Sequence, residues 1–356
     1  MIIFIFGTTA EAIKLAPIAR RLDARGISYE SWLTMQHTDA LVESMQELGF
    51  RPADRIIANG NKGQSLRGFR DVVVWLLEIR RRMRKNVRTL RVAHAQNSVI
   101  VVHGDTMTSV VGSYIAKRLK IASAHVEAGL RSGNWRHPFP EELDRRIVGT
   151  MATIHYAPSE EATHNLAGKT NVLYTHGNTV IDAVVDHEAA LGTKGEKYGV
   201  VLLHRFEYLA NRSLVEETMA TLTSESPYPL KFIVDEYARE TLADILPKAE
   251  SDRIQIQGKL AHDQFIAVLK RAEFVVTDSG GIQAEAALIG VPTLIHRKAT
   301  EQREGLGLNI VLSEWKIDEL SAFLADFRKY SHPGSKPEYS PSDIIVGDLL
   351  ARGYGA

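Results

Sequence analysis

Four short apolar runs constrain this chain most: each ends in a polar or glycine-bearing turn, and three of the turns lead into an apolar or helix-forming stretch. Ile2 to Phe6 is wholly apolar and stops at Gly7, after which Ile13, Leu15, Ala16, Ile18, Ala19 and Leu22 recur at helical spacing up to Gly26. Ser98 to Val102 repeats the pattern before His103-Gly104-Asp105-Thr106 and the apolar stretch Val110 to Leu119. Gly199 to Leu203 precedes His204-Arg205. Phe274-Val275-Val276 precedes Thr277-Asp278-Ser279-Gly280-Gly281 and the helix-forming Gln283 to Ile289. Continuous apolar strands alternating with helices predict an α/β chain whose parallel sheets are covered on both faces.

At about 150 residues per domain, 356 residues suit two such sheets. The expected division is an N-terminal domain over 1–177, a second domain over 178–340 and a closing helical segment over 341–356. The tail from Ser331 to Ser342 is rich in Pro, Ser and Gly and reads as a loop before a helix from Ile344 to Leu350.

Composition removes several function classes. Lys plus Arg is 43 and Asp plus Glu is 43, so the net charge is zero and the footprint of a general nucleic-acid binder is missing. One basic cluster, Arg80, Arg81, Arg82, Arg84, Lys85, Arg88 and Arg91, has Leu77, Val87 and Leu90 interleaved. It reads as the solvated face of an amphipathic helix rather than an anion-binding patch. The absence of cysteine excludes disulfides, thiolate metal sites and a cysteine nucleophile. No apolar run is long enough to span a bilayer and the start carries no basic leader, so no membrane partner and a cytoplasmic location are expected. No histidine pair has metal-ligand spacing, so no metal is expected.

In open parallel sheets, ligands bind beyond the carboxyl ends of the strands, where the polar turns of this chain lie. Ser279, Gly280 and Gly281 open a helix whose free N–H groups suit a phosphate, and Glu285, about one turn on, could accept from ribose hydroxyls. The same residues also suit a purely structural tight turn. Glu141 and Glu142 follow Pro140 at a helix start, where they favour the macrodipole, and Glu141 could pair with Arg145 at i,i+4. Alternatively, Glu141 joins Asp105 and Glu127 for general acid/base work. His204 at a strand end is open to a structural or a catalytic reading.

Six motifs, in order, resemble one family. They are Gly-Thr-x-x-Glu-Ala-Ile-Lys (Gly7 to Lys14), Gly-Asp-Thr (Gly104 to Thr106), His-Val-Glu-Ala-Gly-Leu-Arg (His125 to Arg131), Pro-Glu-Glu-x-x-Arg (Pro140 to Arg145), Gly-Asn-Thr-Val-Ile-Asp (Gly177 to Asp182) and Thr-Asp-Ser-Gly-Gly-Ile-Gln (Thr277 to Gln283). The chain is similar to the UDP-N-acetylglucosamine 2-epimerases from residue 2 to about residue 310. The resemblance implies a GT-B fold, two Rossmann-like domains with a nucleotide sugar in the cleft, a final helix crossing back, and a homodimer. It implies a catalytic set of Asp105, Glu127, Glu141 and His204, and nucleotide and diphosphate contacts from Lys14, Arg145, Ser279, Gly280, Gly281 and Glu285.

The implied reaction epimerises C2 of a UDP-sugar by loss and re-addition of UDP, with no cofactor. A hydrolysing epimerase, an epimerase on a related nucleotide sugar, a GT-B glycosyltransferase and a non-catalytic nucleotide-sugar-binding regulator are the alternatives. Departures from the family pattern are Thr9 and Phe206 in place of arginines, Asp235 in place of a histidine, and Gln302-Arg303, where the arginine is displaced by one place.

Overall fold

The computed structural model describes residues 1–36, 39–60, 69–93, 97–133, 140–186, 196–246, 252–300, 302–334 and 337–355. The chain divides into two units, Met1–Asp186 with Glu338–Ala356, and His187–Pro337. The first contains seven strands: β1 Ile2–Phe6, β2 Tyr29–Leu33, β3 Arg55–Ile56, β4 Val99–His103, β5 Ala122–Val126, β6 Ile154–Ala157 and β7 Val172–Tyr174. They lie in the order β3-β2-β1-β4-β5-β6-β7 and pair in parallel throughout. Every residue of β1 and β4 is buried, as expected for central strands covered on both faces.

The second unit has β8 Gly199–Leu202, β9 Leu230–Ile233, β10 Ile254–Gln257, β11 Phe274–Thr277, β12 Thr293–Ile295 and β13 Ile310–Leu312. Their order is β10-β9-β8-β11-β12-β13, again all parallel. Each sheet thus starts at its middle, runs outward to one edge, and returns to build the other. That order, 3-2-1-4-5-6 with a seventh strand added at the edge in the first unit, is the Rossmann order, and it opens a topological switch point between β1 and β4 in one unit and between β8 and β11 in the other. Two Rossmann units of this kind make the chain a GT-B fold.

Helix Val180–Asp186 packs on helix Thr9–Ala24, so the first unit continues beyond residue 177. Arg21 holds it there, with Nη2 3.3 Å from Asp182 and Nη1 3.0 Å from Asp186. The last helix, Pro341–Ala351, begins three residues before Ile344, because the Ser340 side chain accepts from Asp343 N and proline suits a first turn. It returns to the first unit, where Ile345, Val346 and Leu349 join the core of Phe4, Leu15 and Ala19.

The basic cluster lies on helix Phe69–Ala93, whose Trp75, Ile79, Met83 and Leu90 are buried at four- and seven-residue spacing. Arg80, Arg81, Arg84, Lys85 and Arg88 face solvent on its other side. Leu77 is exposed with them rather than packed. Among the described residues, no helix is long and apolar enough to cross a membrane.

Candidate active site

In the first unit the two turns beside the switch point are locked together by one buried carboxyl. Thr8 caps helix Thr9–Ala24, accepting from Glu11 N, while Glu11 reaches back in a capping box. Glu11 Oε2 accepts from Gly7 N and Thr8 N at 3.0 Å each and from Thr8 Oγ1 at 2.9 Å. Its Oε1 crosses to the β4 turn and accepts from Thr106 Oγ1 at 2.6 Å. Burial pushes the Glu11 carboxyl up to about 7, against these donors, which lower it. Gly7 must be glycine, because a Cβ there would stand 2.1 Å from Thr34 Oγ1 and 2.5 Å from Thr108 Oγ1.

Thr8 and Glu11 fix the helix that carries Lys14, and Lys14 Nζ lies 3.1 Å from both oxygens of Glu127. Asn178 Nδ2 also donates to Glu127 Oε1. His103 Nε2 is 3.5 Å from Glu127 Oε2. Burial first, then the Lys14 ammonium, hold the His103 pKa well below its ordinary value, so it stays uncharged beside the carboxylate. Glu127 itself has a left-handed backbone, φ +67°, just past the end of β5. His125, one turn of the pleat earlier, is buried with Nε2 donating to Gly104 O at 2.7 Å, and burial lowers it to about 4.

Asp105, at the end of β4, pairs with Arg145 from helix Glu141–Met151. Arg145 Nη1 also lies 3.6 Å from Glu142. The two adjacent glutamates differ in burial and in partners. Glu142 is fully buried and accepts from Ser132 N at 3.1 Å and Arg146 Nε at 3.0 Å, which makes it a structural hub. Glu141 is only half-buried, on the same helical face as Asp144. Asp144 is buried with its Oδ2 unpaired among the described residues. Burial, then the charges of Asp105 and Glu141, push its carboxyl up to about 7.

The second unit builds its turn around Asp278, fully buried after β11. Its Oδ2 accepts from His204 N at 2.9 Å and Arg205 N at 2.8 Å, and His204 Nδ1 is 3.2 Å from Oδ1. Burial alone would raise Asp278, but the His204 ring and these backbone donors bring it below its usual value. Ser279 is the N-cap of helix Gly280–Ile289 yet makes no side-chain cap bond, so it leaves first-turn N–H groups for other acceptors. Glu285 lies on that helix, buried, with Oε1 2.9 Å from His262 Nε2. Gln283 of the same helix donates to Gln302 O and Glu304 O and accepts from Thr300, which fixes the loop of the displaced Arg303.

The structure therefore brings Lys14 to Glu127 and Arg145 to Asp105 beside neighbouring strand ends of the first unit, with Glu141 at the start of the helix that carries Arg145. It sets His204, Ser279, Gly280, Gly281 and Glu285 at the switch point of the second. Of the departures, Thr9 is buried, Phe206 is 70% exposed, and Asp235 caps helix Glu236–Thr241, accepting from Ala238 N at 2.7 Å. Reasoning from sequence did not single out Glu11, Asn178, Asp144, His262 or Asp278 as members of the sites. Four of these stand inside quoted motifs, which was the available signal; His262 has none. Among the described residues no group of three or more His, Asp or Glu is arranged to hold a metal ion.

A family model for UDP-N-acetylglucosamine 2-epimerase matches residues 87–317. The chain is 31% identical over 323 residues to the UDP-N-acetylglucosamine 2-epimerase of Bacillus subtilis, covering 85% of this chain and 80% of that protein. Among solved structures it resembles the Methanocaldococcus jannaschii UDP-GlcNAc 2-epimerase in complex with UDP-GlcNAc and UDP, with a TM-score of 0.80, 25% identity, and 99% of each chain covered. It also resembles the Neisseria meningitidis UDP-GlcNAc 2-epimerase bound to UDP-GlcNAc, with a TM-score of 0.81, 25% identity, and coverage of 98% of this chain and 99% of that one.

Proposed function

The chain belongs to the UDP-N-acetylglucosamine 2-epimerase family, and from that premise we propose that it inverts C2 of UDP-N-acetylglucosamine to give UDP-N-acetylmannosamine. The observation that carries this reading is the Glu127 carboxylate, held by Lys14 and Asn178 on the neighbouring strand end to an Arg145-bound Asp105. The C2 proton of a 2-acetamido sugar is hardly acidic. Departure of UDP from C1 leaves an oxocarbenium-like centre that acidifies C2–H, so a fixed carboxylate can stabilise the cation and a second can take the proton. Reprotonation of the glycal on its other face, followed by re-addition of the diphosphate, completes the inversion without a cofactor.

In this scheme Asp105, Glu127 and Glu141 supply the carboxylates, with Lys14 and Arg145 holding Glu127 and Asp105 in orientation. His204 is held by the buried Asp278, and Ser279, Gly280 and Gly281 offer helix N-terminal N–H groups to the diphosphate. Glu285 receives the ribose. Turnover in deuterium oxide should place deuterium at C2 of product, read by NMR; product that keeps protium there would sink the proposal.

A second outcome is favoured by Thr9 and the exposed Phe206, which stand where the family pattern has arginines. Fewer cations to retain the departing diphosphate let water capture the glycal, which yields N-acetylmannosamine and UDP. Free UDP accumulating in step with turnover would select that hydrolysing version. A requirement for an acceptor sugar would select a glycosyltransferase instead. We further propose a homodimer working in the cytoplasm, where its charged, membrane-impermeant substrate would be held; light scattering at the mass of a single chain would remove the dimer.

A further inference from the structure

We propose that His262 is a positioning residue of the nucleotide site: its Nε2–H holds one oxygen of Glu285 so that the other is kept for the ribose hydroxyls of the bound nucleoside diphosphate. The inference rests on the UDP-sugar reading above and assigns a role to a residue outside every motif that led to it.

Glu285 and His262 sit on different helices of the second unit, His262 at the first position of helix His262–Arg271 and Glu285 within Gly280–Ile289. Their side chains are each 6% exposed, and Nε2 stands 2.9 Å from Oε1. Among the described residues, this is the only hydrogen bond the Glu285 carboxylate makes. A carboxylate buried this deeply needs donors, and here the protein gives it one. The missing second donor is what a ribose hydroxyl supplies.

The choice of side chain supports the division of the two oxygens. An arginine in this place would grip both oxygens as a fork, and a lysine could rotate between them. An imidazole presents a single hydrogen from a rigid ring at this end, so it can fill Oε1 without reaching Oε2. The carboxylate plane is thereby fixed before the ligand arrives, and the ordering of a long, rotamer-rich glutamate is removed from the cost of binding. Removing His262 would leave Glu285 intact but free to turn, or to seek a donor elsewhere.

The test is calorimetric binding of UDP and of 2′-deoxy-UDP to the full chain and to three variants, Glu285→Ala, His262→Ala and His262→Gln. The unaltered chain should prefer UDP over the deoxy analogue. Glu285→Ala and His262→Ala should both weaken UDP binding by about tenfold, the scale of one charge-assisted hydrogen bond, and both should erase most of that preference. His262→Gln, whose amide can donate to the same oxygen, should recover the preference. In turnover, His262→Ala should raise KM with kcat nearly unchanged, a split that a general loss of stability would not produce. A His262→Ala chain that melts earlier but keeps the wild-type ratio of the two affinities would overturn the proposal. So would a Glu285→Ala effect with none from either His262 variant. Failure of the unaltered chain to bind UDP would overturn the functional reading, and this inference with it.

Discussion

Glu127 carries its backbone at φ +67°, a region that side chains other than Gly, Asn and Asp rarely adopt. Such a conformation costs on the order of 1–3 kcal/mol and persists only where surrounding contacts over-determine it. Lys14 and Asn178 are those contacts, and they come from 113 and 51 residues away in sequence. The carboxylate was therefore legible as a candidate from its motif, while the partners that fix it were not, since no local pattern announces a contact at that separation. If the carboxylate does the acid/base work, Glu127→Gln should lower kcat about a hundredfold and leave UDP affinity within about threefold; a parallel fall in affinity would make it a binding residue. Asp144 carries a prediction of the opposite kind, about stability. Its carboxyl sits at about 7 in the fold against an ordinary value of 3.8, so between those values the folded chain binds more protons than the unfolded one. Stability from this group is therefore highest in acid and falls as pH rises to about 7, beyond which the burial penalty is complete. Glu11 acts in the same direction and His125 in the other, but both are common to the variant and cancel in a comparison. Asp144→Asn should gain Tm over the unaltered chain at pH 8 and much less at pH 5; an equal shift at both values would mean that Asp144 is already ionised throughout.

At the scale of elements, the sequence was most readable where strands are central. Ile2 to Phe6 carries the limits that the structure gives β1, because it is apolar throughout and ends at a turn. The outer strands escaped the same reasoning. β3 has two residues and β7 three, while β10 alternates Ile-Gln-Ile-Gln with one buried position. Strands covered on one side, or too short to show a period, leave no distinct pattern. Two helix starts were placed late for a related reason: capping by Thr8 and Ser340 begins each helix before its first large apolar residue. One motif glycine shows how closely elements meet under the site. Gly129 has φ +88°, and a Cβ on it would stand 2.2 Å from the carbonyl oxygen of Ala162 and 3.0 Å from Leu166 Cδ1. Backbone strain and overpacking together should make Gly129→Ala destabilising by about 3 kcal/mol in urea unfolding. A loss under about 1 kcal/mol would show that helix Glu160–His164 can move aside.

For the whole molecule, the decisive fact is that the first unit is not continuous in sequence. The chain leaves it after Asp186, builds the second unit, and comes back at Glu338. The sequence of the last helix shows that it is apolar enough to be buried, yet nothing local says which core it enters; only the family resemblance pointed it back. The return is well secured. Ile345, Val346 and Leu349 are fully buried, Tyr156 OH donates to Asp348 Oδ2 at 2.9 Å, and Ser342 N donates to Asp182 Oδ2 at 2.7 Å. Full burial of one aliphatic side chain stabilises by about 1.5–3 kcal/mol, so these three together contribute roughly 5–9 kcal/mol. That is as large as the whole stability of a typical domain, about 5–15 kcal/mol. The helix also packs on Thr9–Ala24, which carries Lys14 against Glu127. A chain ending at Pro337 should therefore lose the unfolding transition of the first unit and all epimerase turnover. The second unit has its own core, centred on Phe232, Phe274 and Leu294, and should keep its transition and its protection from protease. Two calorimetric transitions in the full chain and one in the shortened chain would bear this out. Retained turnover after the cut would mean that the core of the first unit closes without its last helix.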